Sequence, residues 1–282
     1  MTTTPRITLN DGTTIPQLGL GVWQVPADET ERVVSEALEV GYRHVDTAQM
    51  YGNEAGVGAA IASSGLARSD VYVTTKLNNN RHDRADAKDS LKESLDRLGL
   101  DRVDLFLIHW PLPTRYGGDF VSTWEALLEL REEGLTRSVG VSNFQVAHLD
   151  RVVEATGEVP AVNQVEAHPY FANDEVRTAT VRRGAHVEAW SPLGQGGGEL
   201  DDPVVTALAE RHGKTPAQVL LRWALDRGDI VFPKSMRKER LAQNFDALDF
   251  GLDPDEVASL AALDKGEAGR QGPNPDTFDW IP

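Results

Sequence analysis

The sequence contains no cysteine, which removes disulfides, thiol nucleophiles and cysteine-ligated zinc together and suits a reducing compartment. It has no run of 18 uninterrupted apolar residues, the length a membrane-spanning helix needs. Its opening stretch, MTTTPRITLN, lacks the charged-then-apolar pattern of a secretory signal. A cytoplasmic location without membrane association is therefore expected. Positive charge is scarce: 28 Lys and Arg stand against 44 Asp and Glu, a formal net charge of −16 that repels nucleic acid backbones. The histidines are scattered, with no HExxH and no convergent His/carboxylate spacing, so no metal site is expected. Nucleotide-binding signatures are also missing. No Walker A run occurs; Gly19-Leu20-Gly21 is followed by Val22-Trp23-Gln24, and Gly56-Val57-Gly58 ends on Ile61, so neither completes a GxGxxG turn.

What is present is a regular alternation. The 282 residues, 40% of them hydrophobic, suit one large α/β domain over 1–282. Arg6 to Leu9 and Thr13 to Pro16 flank an Asn10-Asp11-Gly12 turn, which predicts a hairpin over 1–16. Strand patterns follow at Leu18–Trp23, His44–Ala48, Val71–Leu77, Asp104–Trp110, Ser138–Val141, Ala161–Glu166, His186–Trp190 and Ile230–Pro233, each trailed by a helical pattern. Asp28 and Glu31 read as a capping box before the first helix, and Gly41 as its end. Eight βα units predict a (β/α)8 barrel, with a doubly wound sheet as the rival. The long interval before the eighth strand predicts an extra helix at Asp202–Gly213, another is expected at Pro254–Leu263, and a Gly/Pro-rich tail runs over 266–282.

A barrel gathers the C-terminal ends of its strands on one rim, where active sites lie. Asp46, Lys76 and His109 close strands two, three and four, and Tyr51 stands on the loop after strand two. Singly, each has a plainer role: a turn acid, a surface-packed ring, a solvated ammonium, a core histidine. Together they form a carbonyl-reduction set. A phenol is too weak an acid at neutral pH, an adjacent Lys76 ammonium favours its phenolate, Asp46 holds Lys76, and His109 can donate to a carbonyl oxygen. A second cluster follows strand eight: Lys234, Ser235, Arg237, Lys238 and Arg240, a basic patch in an acidic chain where barrels place phosphate sites.

GYRHVDTAQMYGNE, the Lys76 strand, LIHWP, GVSNF, AVNQVEAHP, WSPLG and FPKSMRKERLAQN occur in that order over nearly the whole length. In these the chain resembles the aldo-keto reductases, and TGEVPAVNQ, PLGQG and HGKTPAQ bring it nearest to the bacterial 2,5-diketo-D-gluconate reductases. The resemblance implies NADPH-dependent reduction of aldehydes or ketones, with Tyr51 as proton donor, Asp46 and Lys76 tuning it, and His109 orienting the carbonyl. It implies Lys234, Ser235 and Arg240 at the 2′-phosphate with Arg237 beside them, and Gln243 and Asn244 at the adenine. Ser142, Asn143 and Gln164 are implied at the nicotinamide amide, Trp190 against its ring, and Ser191, Leu193 and Trp23 along the cofactor. Trp23, Asn78, His109 and Trp110 are implied around the substrate.

Three positions depart from the broader pattern: Trp190 stands for a common tyrosine, Gln243 for a glutamate, and Asn78 for a tryptophan. A polar Asn78 fits small polar carbonyls such as keto-sugar acids, dicarbonyls or small aldehydes. Two alternatives are a non-catalytic NADPH-binding subunit and a Schiff-base aldolase or isomerase barrel. A small-molecule carbonyl substrate and a monomeric state are expected.

Overall fold

Short apolar runs separated by amphipathic ones pair side by side here, because each strand buries both faces and must be covered by the helix that follows it. The structure, a computed structural model, describes residues 4–282; the first three residues of the expected 1–16 hairpin and 1–282 domain lie outside the described residues. The hairpin strands are β1 (Arg6–Thr8) and β2 (Thr14–Pro16), antiparallel with Ile7 opposite Ile15. Gly12 takes a positive φ of 82° at the turn, and Asp11 Oδ1 accepts from the Thr13 amide at 2.9 Å. Leu9 and Ile15 pack on Tyr72, Leu105, Leu107 and Ile230, so the hairpin seals one end of the molecule with apolar side chains.

The sheet that follows has eight parallel strands: β3 (Leu20–Gly21), β4 (His44–Asp46), β5 (Tyr72–Leu77), β6 (Val103–Ile108), β7 (Thr136–Ser142), β8 (Val162–Glu166), β9 (His186–Trp190) and β10 (Ile230–Val231). Each pairs with its sequence neighbours. A parallel bridge between Leu18 and Val231 closes the first strand onto the last, and the chain forms a (β/α)8 barrel. That closure excludes the doubly wound alternative, whose sheet keeps two open edges.

The helices are α1 (Ala27–Val40), α2 (Glu54–Ser63), α3 (Arg84–Leu98), α4 (Val121–Glu132), α5 (Val146–Thr156), α6 (Asp174–Arg182), α7 (Pro203–His212), α8 (Pro216–Asp226), α9 (Lys238–Phe245) and α10 (Pro254–Ala261). The extra helices expected before and after the eighth strand are α7 and α10. No capping box opens α1: Pro26 occupies the N-cap position and Asp28 lies inside the first turn, where its charge favours the helix dipole without capping an amide. Tyr42 fixes α9 to the barrel wall, its hydroxyl donating to Leu241 O at 3.0 Å and its ring meeting Phe245 at 5.1 Å. The basic segment that opens α9 is thereby held near the C-terminal rim.

Candidate active site

The register of adjacent strands brings the polar rim together. Asp46 ends β4, Lys76 lies one residue before the end of β5, and His109 directly follows β6. Tyr51 closes a short 3-10 turn over Gln49–Tyr51, shaped by left-handed Gly52. Lys76 is fully buried, and its Nζ donates to Asp46 Oδ1 at 2.6 Å, to Thr47 O at 2.8 Å and to the Tyr51 hydroxyl at 3.4 Å. Three acceptors satisfy the three ammonium hydrogens, which is what a charge out of water requires. The Tyr51 and His109 rings meet edge to face at 5.7 Å.

The electrostatics follow from burial and this pairing. Burial works to lower the Lys76 pKa, but Asp46 and Tyr51 outweigh it and leave it raised, so the lysine stays charged. A lysine so held is a poor Schiff-base nucleophile, against the aldolase alternative. Burial raises the Tyr51 pKa and Asp46 adds to this, while Lys76 pulls it down; the first effect wins. Burial, then the Lys76 ammonium, hold His109 well below its usual range, so its imidazole is neutral. His109 Nδ1 is buried without a partner among the described residues, which leaves Nε2 as the nitrogen available to a ligand.

Behind the Lys76 pair stands Gln164, whose Nε2 donates to Asp46 Oδ2 at 2.8 Å and to Glu188 Oε2 at 3.0 Å. Ser142 Oγ donates to Gln164 O at 2.9 Å. Asn143, at a left-handed φ of 63°, donates through Nδ2 to His109 O and to Ser142 Oγ, and its Oδ1 accepts from Trp190 Nε1 at 2.9 Å. Ser142 and Asn143 do not cap α5; Gln145 does. They tie the ends of β6, β7, β8 and β9 into one floor.

Above this floor opens a cavity of about 710 Å³. Trp23, Asp46, Tyr51, His109, Trp110, Ser142, Asn143, Gln164, Trp190, Ser191, Leu193 and Lys234 all line it, so most of the expected site residues share one space. Ser235, Arg237, Arg240, Gln243 and Asn244 lie outside it, further along the segment that leads into α9. Ser235 is nearly buried and accepts from the Arg237 amide, whereas Lys234, Arg237 and Arg240 are exposed and form no ion pair among the described residues. Lys238 differs, being paired with Glu39 at 2.6 Å. Three unpaired cations in a chain of net charge −16 suit an anion such as a nucleotide phosphate. The cavity with its Trp190 wall and this cation group fit a nicotinamide cofactor that carries an extra phosphate.

Asn78 is not part of the cavity wall. Its Oδ1 accepts from the Asn79 amide at 2.8 Å, which turns the side chain back onto its own loop. His82 is likewise buried away from the cavity, stacked on Tyr116 at 5.2 Å. Of the residues that sequence reasoning missed, Gln24, Met50 and Gln195 flank expected positions in the wall, whereas a further group comes from the tail. Gln271, Gly272 and Pro273 line the cavity, held because both Glu166 carboxylate oxygens accept backbone amides, from Gln271 at 2.6 Å and from Gly272 at 2.9 Å. Further on, Phe278 packs on Trp110 at 4.2 Å and Asn79 donates to Trp280 O at 2.9 Å. Glu166, a polar residue ending a strand, was the one legible signal for this. Among the described residues no group of metal-ligating side chains converges and no helix is long and apolar enough to cross a membrane.

Comparison with known proteins gives the same picture throughout the chain. The pattern of the Aldo/keto reductase family matches residues 16–265. An aldo-keto reductase of Mycolicibacterium smegmatis is 52% identical over 276 residues, covering 98% of each chain. Methylglyoxal reductase DkgA of Escherichia coli is 46% identical over 273 residues, covering 96% of this chain and 97% of that one. The crystal structure of a Gox0644 mutant in complex with NADPH superposes with a TM-score of 0.94 at 42% identity, covering 99% of this chain and 100% of that one.

Proposed function

The chain belongs to the aldo/keto reductase family, and from that premise we propose that it reduces aldehydes and ketones to alcohols with NADPH, Tyr51 donating the proton. The observation that carries this reading is the buried Asp46–Lys76 pair, whose ammonium reaches the hydroxyl of a tyrosine in the cavity wall. NADPH, when bound, supplies hydride to the carbonyl carbon. Lys234, Ser235, Arg237 and Arg240 would hold its extra phosphate, Gln243 and Asn244 its adenine, and Trp23, Ser142, Asn143, Gln164, Trp190, Ser191 and Leu193 the remainder.

The rest of the chemistry belongs to this chain. A substrate carbonyl oxygen enters between Tyr51 and His109, where neutral His109 donates a hydrogen bond from Nε2. As charge develops on that oxygen, Tyr51 transfers its proton to it and becomes phenolate. Lys76 is already charged and within 3.4 Å, so it stabilises the phenolate without rearrangement. Asp46 keeps Lys76 in place, and solvent entering the open cavity returns a proton to Tyr51.

For substrate we propose small polar carbonyls, dicarbonyls and keto-sugar acids among them. The support is the mixed wall, where Gln24, Gln195 and Gln271 stand among Trp23, Met50 and Trp110, and the methylglyoxal reductase relative. Steady-state assays of NADPH consumption over a panel of small aldehydes, dicarbonyls and keto-sugar acids test the reading. Tyr51→Phe is expected to lower kcat by a factor on the order of 10³ while NADPH still binds. A Tyr51→Phe enzyme turning over at the wild-type rate would remove the proton-donor assignment. A wild-type protein that binds NADPH but reduces none of the panel would favour the non-catalytic subunit.

A further inference from the structure

Glu188 lies on β9 inside the barrel, fully buried, in register with Gln164 of β8 on one side and Ile230 of β10 on the other. Nothing in the reaction described above uses it. A carboxyl group in a barrel core costs free energy unless it is hydrogen-bonded there. The contact it makes is specific. Gln164 has two amide hydrogens, and one goes to Asp46 Oδ2 at 2.8 Å, the other to Glu188 Oε2 at 3.0 Å. With both amide hydrogens engaged below, the Gln164 carbonyl oxygen is left without a protein partner among the described residues, in a side chain that lines the cavity. Remove Glu188, and one amide hydrogen loses its acceptor, so Asp46 alone is left to hold the amide in place.

We propose that Glu188 is a positioning residue of the reductase site: together with Asp46 it clamps the Gln164 amide so that its carbonyl oxygen is presented as the acceptor for the carboxamide N–H of the nicotinamide. This rests on the NADPH reading above. The clamp also joins the cofactor floor to the proton donor, because Asp46 holds Gln164 with one oxygen and Lys76 with the other.

The charge of Glu188 bears on the same network. The ionisable groups that act on it are Asp46 from β4 and Lys76 and Tyr72 from β5, while β8 offers the neutral Gln164 and β10 the apolar Ile230. Burial first, and then Asp46, push its carboxyl up to about 8, against Gln164 and Lys76. At neutral pH it therefore keeps its proton and can accept from Gln164 without adding a second negative charge beside Asp46. Its Oε1 is buried without a partner among the described residues. Above about pH 8 ionisation adds the charge. Lys76 then holds its proton more tightly, Tyr51 becomes a weaker acid, and reduction slows.

Two variants and two ligands test this. NADPH and adenosine 2′,5′-bisphosphate, which keeps the adenosine, its 2′-phosphate and one 5′-phosphate but has no nicotinamide, are titrated by quenching of tryptophan fluorescence. Glu188→Leu is expected to weaken NADPH about 10-fold and the bisphosphate by less than about twofold. Glu188→Gln, which keeps an acceptor but cannot ionise, is expected to recover NADPH affinity to within about twofold of wild type and to lose the fall in kcat near pH 8. Glu188→Leu binding NADPH like wild type, or weakening both ligands equally, would overturn the proposal. Should Glu188→Leu not fold, Glu188→Met, which also lacks the carboxyl acceptor, is read in the same two titrations: a loss confined to NADPH supports the proposal, and equal losses or none overturn it. A wild-type protein that fails to bind NADPH overturns the underlying reading, an outcome seen before any variant is made.

Discussion

Two hollows in this molecule invite comparison, and the larger is not the one with chemistry. A cleft of about 850 Å³ lies between α2 and α3 at the opposite end from the strand C-termini, lined by Gly58, Ile61, Arg68, Arg97, Leu98 and Arg102. It exceeds the active-site cavity of about 710 Å³. Yet two of its three arginines are already committed, Arg97 Nε meeting Glu54 at 2.7 Å and Arg68 Nη2 meeting Asp104 at 2.8 Å, and only Arg102 forms no ion pair among the described residues. Gly58 is there because α2 presses directly against the Leu98 carbonyl, which an added Cβ would approach to 2.1 Å. The cleft is a by-product of helix packing. In the smaller cavity the balance is reversed, with a lysine and an acid buried at its floor, Lys234 unpaired in its wall, and Arg237 and Arg240 unpaired further along the same segment. Volume says where a ligand could fit; uncommitted and perturbed polar groups say where one is needed.

Substitutions in the two hollows sharpen that contrast. Next in size to Tyr51→Phe, Arg240→Ala is expected to weaken NADPH by about 10- to 100-fold and NADH by far less, read as the ratio of their dissociation constants. Equal losses for both would break the assignment of the basic segment to a phosphate. Gly272→Ala probes the other wall of the cavity. A Cβ at that position would stand 2.4 Å from Trp190 Cη2, so the tail must lift from its Glu166 anchor. KM is expected to rise about 10-fold with kcat changed less, and an unaltered KM would show that the tail does not shape the pocket. The smallest functional effect belongs to the larger cleft. Arg97→Ala leaves Glu54 buried with only Thr75 to satisfy it, and because Arg97 is 38% exposed the loss is discounted to about 1 kcal/mol of stability. Denaturant unfolding should register that loss while kcat/KM stays at the wild-type value; a fall in kcat/KM would mean that the cleft is coupled to the site.

The same contrast separates what was legible in the sequence from what was not. The eight strand runs and their helices were readable because a strand buried on both faces has to be continuously apolar, while a covering helix has to alternate with a 3.6-residue period. Strand ends were less readable: Leu18–Trp23 reduces to a ladder over Leu20–Gly21 with a single bridge at Leu18, since pairing stops where the barrel staggers. At the start of α1 a pattern of Asp28 and Glu31 suggested a capping box, but the helix begins earlier, behind Pro26. The resemblance implies Asn78 beside the substrate, whereas its side chain bonds its own loop. The partner of Glu188, Gln164, stands in register on the neighbouring strand but 24 residues away in the chain, and no local pattern encodes such a pair.

By itself, then, the sequence determined the order and kind of its elements, the four polar residues at neighbouring strand ends, and the basic segment after the last strand. These are local properties, written in periodicity and in which residue ends a strand. Only the tertiary structure decided that Lys76 is buried with all three hydrogens satisfied, that the tail returns to roof the cavity, and that a second carboxyl group stands behind Gln164. Each depends on segments far apart in the chain meeting in a low-dielectric interior, where distance and desolvation, not residue type, set what a side chain can do.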